Sequence, residues 1–364
     1  MSNFRVIKYS KKNKSRRGIL KTKHGSIKTP FFMPIATKGA VKTLTPKQLK
    51  DIKAQIVLGN TYHLNLRPGA KIIKKAGGLH HFMNWPGPIL TDSGGYQVFS
   101  LAKFRKITPK GVIFKDNVSG QKHLLTPEKA IQIQIDLGVD IIMSLDECPP
   151  YPCPKKYAHD SMKITTDWAK RGLKYFKKHK KPGQQLFGII QGSVFKDLRE
   201  EHAKELSKMD FDGLALGGLA VGEKAKIMYK VIEWIEPHLP KNKPRYLMGV
   251  GYPEQIAKAV EQGIDMFDCV LPTRNARHGV LYTWKKEKYA ASKNFYQELK
   301  IKQSKFKNDL KPVDSSCQCY GCKNYSKAYL RHLFMSGEFL GQTLATLHNL
   351  RFYLKLMEKI RNNI

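Results

Sequence analysis

The chain has 364 residues, enough for one large domain or two ordinary ones with a sizeable core. Hydrophobic residues make up 41% of it, which argues against long disorder, and no apolar run is long enough for a transmembrane helix. Lys and Arg number 65 against 29 Asp and Glu, and the formal net charge of +36 favours a polyanionic partner, RNA or DNA.

The N-terminal stretch MSNFRVIKYSKKNKSRR is basic but lacks the apolar segment of a secretory signal, so the default location is the cytoplasm. Downstream, short aliphatic runs recur, each closed by a polar, Gly or Pro residue. They are FFMPIAT (31–37), QIVLGN (55–60), PILTDSGG (88–95), DIIMSLDE (140–147), LFGIIQG (186–192), FDGLALGG (211–218), RYLMGVG (245–251) and DMFDCVLP (265–272). Nearly continuous apolar strands are what a parallel sheet buried on both faces requires. Most of the intervening segments read as helices. TPEKAIQIQIDLG (126–138) opens with Thr126 as N-cap and Pro127 at the first helical position, and ends at Gly138. FKDLREEHAKELSKM (195–209) carries Leu198, His202 and Leu206 on one stripe, and YPEQIAKAVEQG (252–263) begins with a Pro and stops at Gly263.

Eight strands alternating with helices predict an α/β fold, an eight-stranded parallel (β/α)8 TIM barrel occupying 1–280. An open doubly wound sheet is the alternative, but no G-x-G-x-x-G follows an early strand. In such barrels the chemistry sits at the carboxyl ends of the strands, which would bring Asn60, Asp92, Asp146, Gln191, Gly218, Gly249 and Asp268 around one mouth. Residues 97–125 exceed what one crossover needs and predict an inserted hairpin or lid. Residues 281–364 belong to no further strand–helix unit and predict an appended C-terminal subdomain.

That subdomain holds Cys317, Cys319 and Cys322, followed by His332 and His348. Three cysteines within six residues are too close for ordinary disulfide scaffolding and suit a metal site. Three thiolates and one imidazole satisfy a tetrahedral zinc ion and leave no open position, so the ion expected is one structural Zn2+ held by Cys317, Cys319, Cys322 and His348. His332 remains as the other imidazole downstream.

Asp268 stands where an apolar run meets a basic loop carrying Arg274, Arg277 and His278. A carboxylate beside phosphate-binding groups is electrostatically unhelpful unless it does chemistry on the bound molecule. One such chemistry is attack on a sugar carbon to form a glycosyl intermediate. TDSGGYQ (91–97) places Asp92 at a strand end before two glycines that permit close backbone approach to a ligand.

TDSGGYQ, SLDEC (144–148), GIIQG (188–192), GGLAVGE (217–223), YLMGVG (246–251), FDCVLPTRNARHG (267–279) and the cysteine–histidine set occur in one order. Together they closely resemble tRNA-guanine transglycosylase, the queuine tRNA-ribosyltransferase family, from about residue 4 to 360. The resemblance implies exchange of guanine at the anticodon wobble position for a 7-deazaguanine base, with no nucleotide cofactor. It makes Asp268 the nucleophile and Asp92 the general acid/base. Asp92, Ser93, Gly94, Gly95, Tyr96, Asp146, Gln191, Gly218 and Met248 would bind the base, with Tyr96 and Met248 sandwiching its plane. Gly249, Val250, Gly251, Tyr252, Pro253, Glu254 and Gln255 would contact RNA, as would Thr273, Arg274, Asn275, Ala276 and Arg277. Val221 and Cys148 resemble the bacterial residues that favour 7-aminomethyl-7-deazaguanine, the queuosine precursor. A homodimer is implied in the same way. His278 departs from the Asn common in bacterial relatives. A catalytically silent tRNA-binding subunit and a nucleoside hydrolase are the competing readings. Retention of Asp92 and Asp268 speaks against the first, and base incorporation would separate the second.

Overall fold

A computed structural model of the chain describes residues 3–95, 104–116, 120–285 and 294–364. Its centre is one all-parallel sheet. The strands run in sheet order from Phe31–Met33 through Met266–Asp268, Arg245–Leu247, Gly213–Leu216, Gln185–Ile190, Ile141–Met143, Ile89–Thr91 and Val57–Gly59 to Ile35–Ala36. The two end strands are adjacent in sequence and separated only by Pro34. Proline has no N–H to give to a ladder. Its carbonyl still accepts from the Leu58 N–H at 2.9 Å. The two short strands are therefore one barrel strand interrupted at a proline, and the sheet closes as an eight-stranded barrel. Helices Pro127–Leu137, Lys155–His179, Lys196–Ser207, Ala225–Ile235 and Pro253–Glu261 follow successive strands outside it.

Each strand alternates between two cores, because successive side chains of a strand face opposite sides. Phe31, Met33, Leu58, Leu90, Ile141, Met143, Phe187, Ile189, Ala215, Tyr246 and Met266 fill the barrel interior. Their neighbours Phe32, Val57, Ile142, Leu186, Ile190, Leu214, Leu216, Leu247 and Phe267 pack outward against the helices. The N-terminal antiparallel sheet, Phe4–Tyr9, Arg16–Thr22 and Gly25–Thr29, adds Phe4, Leu20 and Ile27 to the interior core and plugs the amino-end floor of the barrel. Asp140 bolts that plug down. Its carboxylate contacts His24 Nδ1 at 2.8 Å and His80 Nε2 at 2.9 Å, and accepts from the Ile89 N–H at 2.9 Å.

The predicted helix ends hold. Thr126 caps with its hydroxyl accepting from the Lys129 N–H, and Gly138 takes the left-handed conformation that ends the helix. The insertion is larger than a hairpin. Arg105–Thr108, Gly111–Lys115 and Lys122–Leu125 form a three-stranded antiparallel sheet, while 97–103 lies outside the described residues. The basic segment after Asp268 is likewise a short helix, Leu271–Arg277, and not a loop. After it come the hairpin Val280–Trp284/Tyr296–Lys300 and helices Tyr320–Asn324, Lys327–Ser336 and Phe339–Asn363. Leu281, Ile301, Phe306, Leu330, Leu333, Leu344 and Ala345 form a small core of their own there, shared with Ala276. No helix among the described residues is long and apolar enough to cross a membrane.

Candidate active site and metal centre

The inward parity of the strands carries through to their carboxyl ends, to the paired Asp268 in one strand and one residue past the last pair in the other four. Asn60 follows Leu58 by two, Asp92 follows Leu90, Gln191 follows Ile189, Met248 follows Tyr246 and Asp268 follows Met266. A period of two therefore turns all five side chains towards the barrel axis at its carboxyl mouth.

Asp268 is buried, and its Oδ1 accepts from the Tyr246 hydroxyl at 2.6 Å and from the Gly249 N–H at 2.8 Å. Its Oδ2 has no hydrogen-bond donor among the described residues. Burial pushes the Asp268 carboxyl up, while the Gly249 N–H and the Tyr246 hydroxyl pull it back. Asp92 keeps partial solvent contact. Its Oδ1 accepts from the N–H groups of Thr61 (3.0 Å) and Gly94 (3.2 Å), and its Oδ2 accepts from the Asn60 amide at 2.6 Å. Burial, with the charges of Asp268 and Asp146 added, raises Asp92 to about 7 against the pull of the two N–H donors. The two aspartates thus share one mouth and feel one another.

Asp146 is held on both oxygens. Ser93 Oγ donates to Oδ1 at 3.1 Å and Gln191 Nε2 donates to Oδ2 at 2.7 Å. Burial and the neighbouring Glu147 charge raise it to about 6, opposed by those two donors. Gly95 lies so close that a Cβ there would meet the Asp146 carbonyl at 2.7 Å. Gly218 has φ +64, and a Cβ there would meet Gln191 Oε1 at 2.4 Å. That Oε1 is buried and has no partner among the described residues. Met248 sits half-buried at the top of the interior core. Cys148 is buried beside Asp146, which with burial pushes its thiol up. Ser93, Gly94, Gly95, Asp146, Gln191 and Gly218 therefore assemble with the two aspartates, whereas Tyr96 lies outside the described residues.

The segments expected to meet RNA divide into exposed and supporting residues. Gly249, Tyr252, Arg274 and His278 are exposed. Val250, Pro253, Thr273 and Ala276 are buried, which leaves at most their backbone to a ligand. Gly251 gives its carbonyl to the Tyr353 hydroxyl, Glu254 accepts from the Tyr296 hydroxyl, and the Asn275 amide donates to the Tyr282 hydroxyl. Gln255 Oε1 accepts from the Tyr252 N–H, and Arg277 donates to the Thr273 carbonyl.

A model of the queuine tRNA-ribosyltransferase family matches residues 11–364. The chain belongs to that family. It is 54% identical over 361 residues to the queuine tRNA-ribosyltransferase of Caldanaerobacter subterraneus, covering 99% of this chain and 93% of that one. The protein of the same name from a Thermoanaerobacter species is 52% identical with the same coverage. The Staphylococcus aureus protein of that name is 54% identical over 359 residues, 98% of this chain and 91% of its own. The enzyme class expected from the motifs, a tRNA-guanine transglycosylase, stands.

In the C-terminal region, the ligand atoms of Cys317, Cys319, Cys322 and His348 lie within 4.8 Å of one another. His348 Nδ1 is 3.2 Å from Cys322 Sγ and 3.9 Å from Cys319 Sγ, and its Nε2 donates to the Tyr282 carbonyl at 2.7 Å. In the neutral imidazole that bond leaves Nδ1 as the free nitrogen beside the thiols, the arrangement a metal-ligating imidazole needs. The donor set can therefore hold a metal ion. His332 is exposed on the next helix, with its ring tilted beside that of Tyr329 instead. Sequence reasoning did not find the buried pair Arg199 and His202 behind Gln191. The only trace was His202 on an otherwise apolar stripe.

Proposed function

We propose that the enzyme exchanges guanine at the wobble position of a tRNA anticodon for 7-aminomethyl-7-deazaguanine, through a covalent Asp268–ribose intermediate. One observation carries this reading. Asp268 has one oxygen fixed by Tyr246 and Gly249 and one oxygen without a donor among the described residues, beside an Asp92 poised near neutrality.

The unpaired Oδ2 of Asp268 attacks C1′ of the flipped-out nucleotide, and the C1′–N9 bond breaks with its electron pair on the guanine. Protonated Asp92 supplies the proton that makes guanine a tolerable leaving group. The incoming base then loses its N9 proton to Asp92 and attacks C1′, and the ester to Asp268 breaks. Two inversions retain the β-linkage. Asp146, Gln191 and the backbone at Gly218 present donors and acceptors to the purine edge, with Ser93, Gly94 and Gly95 as its close floor. Tyr96 and Met248 supply its apolar walls. The single-stranded anticodon loop makes extrusion of the base inexpensive. Arg274, Arg277, Tyr252 and Gly249 meet the flanking nucleotides.

Zn2+ is the ion that Cys317, Cys319, Cys322 and His348 suit, and its contribution is structural. Residues 1–280 form the catalytic barrel and 281–364 the zinc-binding subdomain, which has its own small core. We place the enzyme in the cytoplasm, as a homodimer. The deciding assay is incorporation of labelled guanine into unmodified tRNA, with release of unlabelled guanine. Release without incorporation would make the enzyme a hydrolase and refute exchange. Mass spectrometry of the chain trapped on an anticodon stem-loop tests the covalent step.

A further inference from the structure

Gln191 stands at the start of an unusually bent turn. Gly192 has φ +126 and Ser193 has φ +50, two successive residues in the left-handed half of conformational space. Such a turn persists only where its surroundings hold it. Two side chains of the helix Lys196–Ser207 do so. The wholly buried Arg199 donates from Nε to the Ser193 carbonyl at 2.6 Å and from Nη1 to the Ile190 carbonyl at 2.9 Å. Its Nη2 donates to the Gly218 carbonyl at 3.3 Å. Three residues on, His202 Nδ1 accepts from the Gln191 N–H at 2.8 Å.

Both side chains are costly to bury. Arg199 forms no ion pair among the described residues; its hydrogen bonds go to backbone carbonyls, and burial lowers its pKa to about 10 against the pull of Cys148 and Glu223. His202 must be neutral, because Nδ1 is an acceptor, and its Nε2–H has no partner among the described residues. A merely space-filling helix face would use leucine at both positions. Every side-chain hydrogen bond that the pair makes among the described residues goes to residues 190, 191, 193 and 218, the backbone that presents Gln191 and Gly218 to the mouth.

We infer that Arg199 and His202 are positioning residues for base recognition, holding the backbone of Gln191 and Gly218 at the depth where Gln191 meets Asp146 and the purine edge. The inference rests on the base-exchange reading above. Neither residue touches the base; both act through Gln191 and Gly218. Asparagine at 202 offers an oxygen near the place of Nδ1, whereas leucine fills the volume and offers no acceptor.

The test measures guanine exchange with separate KM values for guanine and tRNA. His202→Leu is expected to raise the guanine KM about tenfold, as one buried donor left unpaired predicts, with kcat and the tRNA KM nearly unchanged. His202→Asn should recover most of that loss. Arg199→Lys, which cannot span three carbonyls, should raise the guanine KM in the same selective way. An unchanged guanine KM in His202→Leu, a tRNA KM that rises in step, or an Asn variant no better than Leu would overturn the inference. If His202→Leu does not fold, Arg199→Lys beside His202→Asn decides by the same split: a raised guanine KM in the first alone supports it, and equal values refute it. A wild-type enzyme that incorporates no guanine would instead remove the exchange reading, and this inference with it.

Discussion

The Tyr246 hydroxyl donates to Asp268 Oδ1 at 2.6 Å across two neighbouring barrel strands. Tyr246 pairs in register with Met266, and Asp268 lies two residues further on the same inward face. The carboxylate is thereby anchored through one oxygen, and that bond favours its ionised form against burial. Asp268→Asn should abolish base exchange while leaving tRNA binding largely intact. Tyr246→Phe should lower exchange about tenfold or more, the usual worth of a hydrogen bond to a charged group, and move the acidic limb of the rate profile to higher pH. An unmoved limb would show that the tyrosine does not tune Asp268.

Asp92 yields a prediction about stability. Its folded pKa, about 7, lies above its ordinary 3.8, so the native state binds the proton more tightly than the unfolded chain. Stability is then lost as pH rises between those two values. Because Asp92 keeps some solvent contact, we expect the loss to be on the order of 2 kcal/mol. Thermal melts of wild type and Asp92→Asn should therefore converge or cross in the variant's favour between pH 4 and pH 8. A constant gap across that range would refute the raised pKa.

Asp140 predicts the opposite slope. Burial alone would raise its carboxyl, but bonds from His80, the Ile89 N–H and His24 outweigh burial and hold it below the usual range. Its stabilisation is present above the ordinary carboxylate pKa and disappears as pH falls through the lowered one. Asp140→Asn should cost stability at pH 7 and very little in strong acid, read from urea midpoints at the two pH values.

Gly218→Ala should fail in a specific way. A Cβ would strike Gln191 Oε1 at 2.4 Å, in a backbone conformation L-residues seldom adopt. The guanine KM should rise with little change in tRNA affinity, measured by binding to an anticodon stem-loop.

If the bound ion is zinc, chelation should release one per chain and loosen helices Tyr320–Asn324 and Lys327–Ser336 first, because Leu330 and Leu333 pack in the small core, whereas the hairpin and the last helix place Tyr282, Phe295, Leu350 and Tyr353 in the core outside the barrel. Hydrogen exchange with and without chelator checks this. Uniform loosening of the barrel would contradict it. Steep weakening of tRNA binding by salt is expected if the +36 charge is functional.

The barrel, its eight strands and the acidic mouth were legible because each strand is a short aliphatic run ending in a polar residue. The helix Pro127–Leu137 was legible from Thr126, Pro127 and Gly138. Less was legible where pairing is non-local. The strands of the inserted sheet at 105–125 are short, and nothing in a period of two tells three strands from a hairpin.

By itself the sequence determined the family, the cysteine cluster and which residue types line the mouth, since motif order, spacing and strand parity are local properties of the chain. Only the tertiary structure decided which imidazole joins the thiols, that His348 and not His332 faces them, and that Arg199 and His202 stand behind Gln191. It also decided that Asp268 leaves one oxygen without a donor among the described residues while Asp92 is raised towards neutrality. Those outcomes depend on burial and on contacts between distant segments, and a pKa or a hydrogen-bond partner exists only after the chain has closed around it.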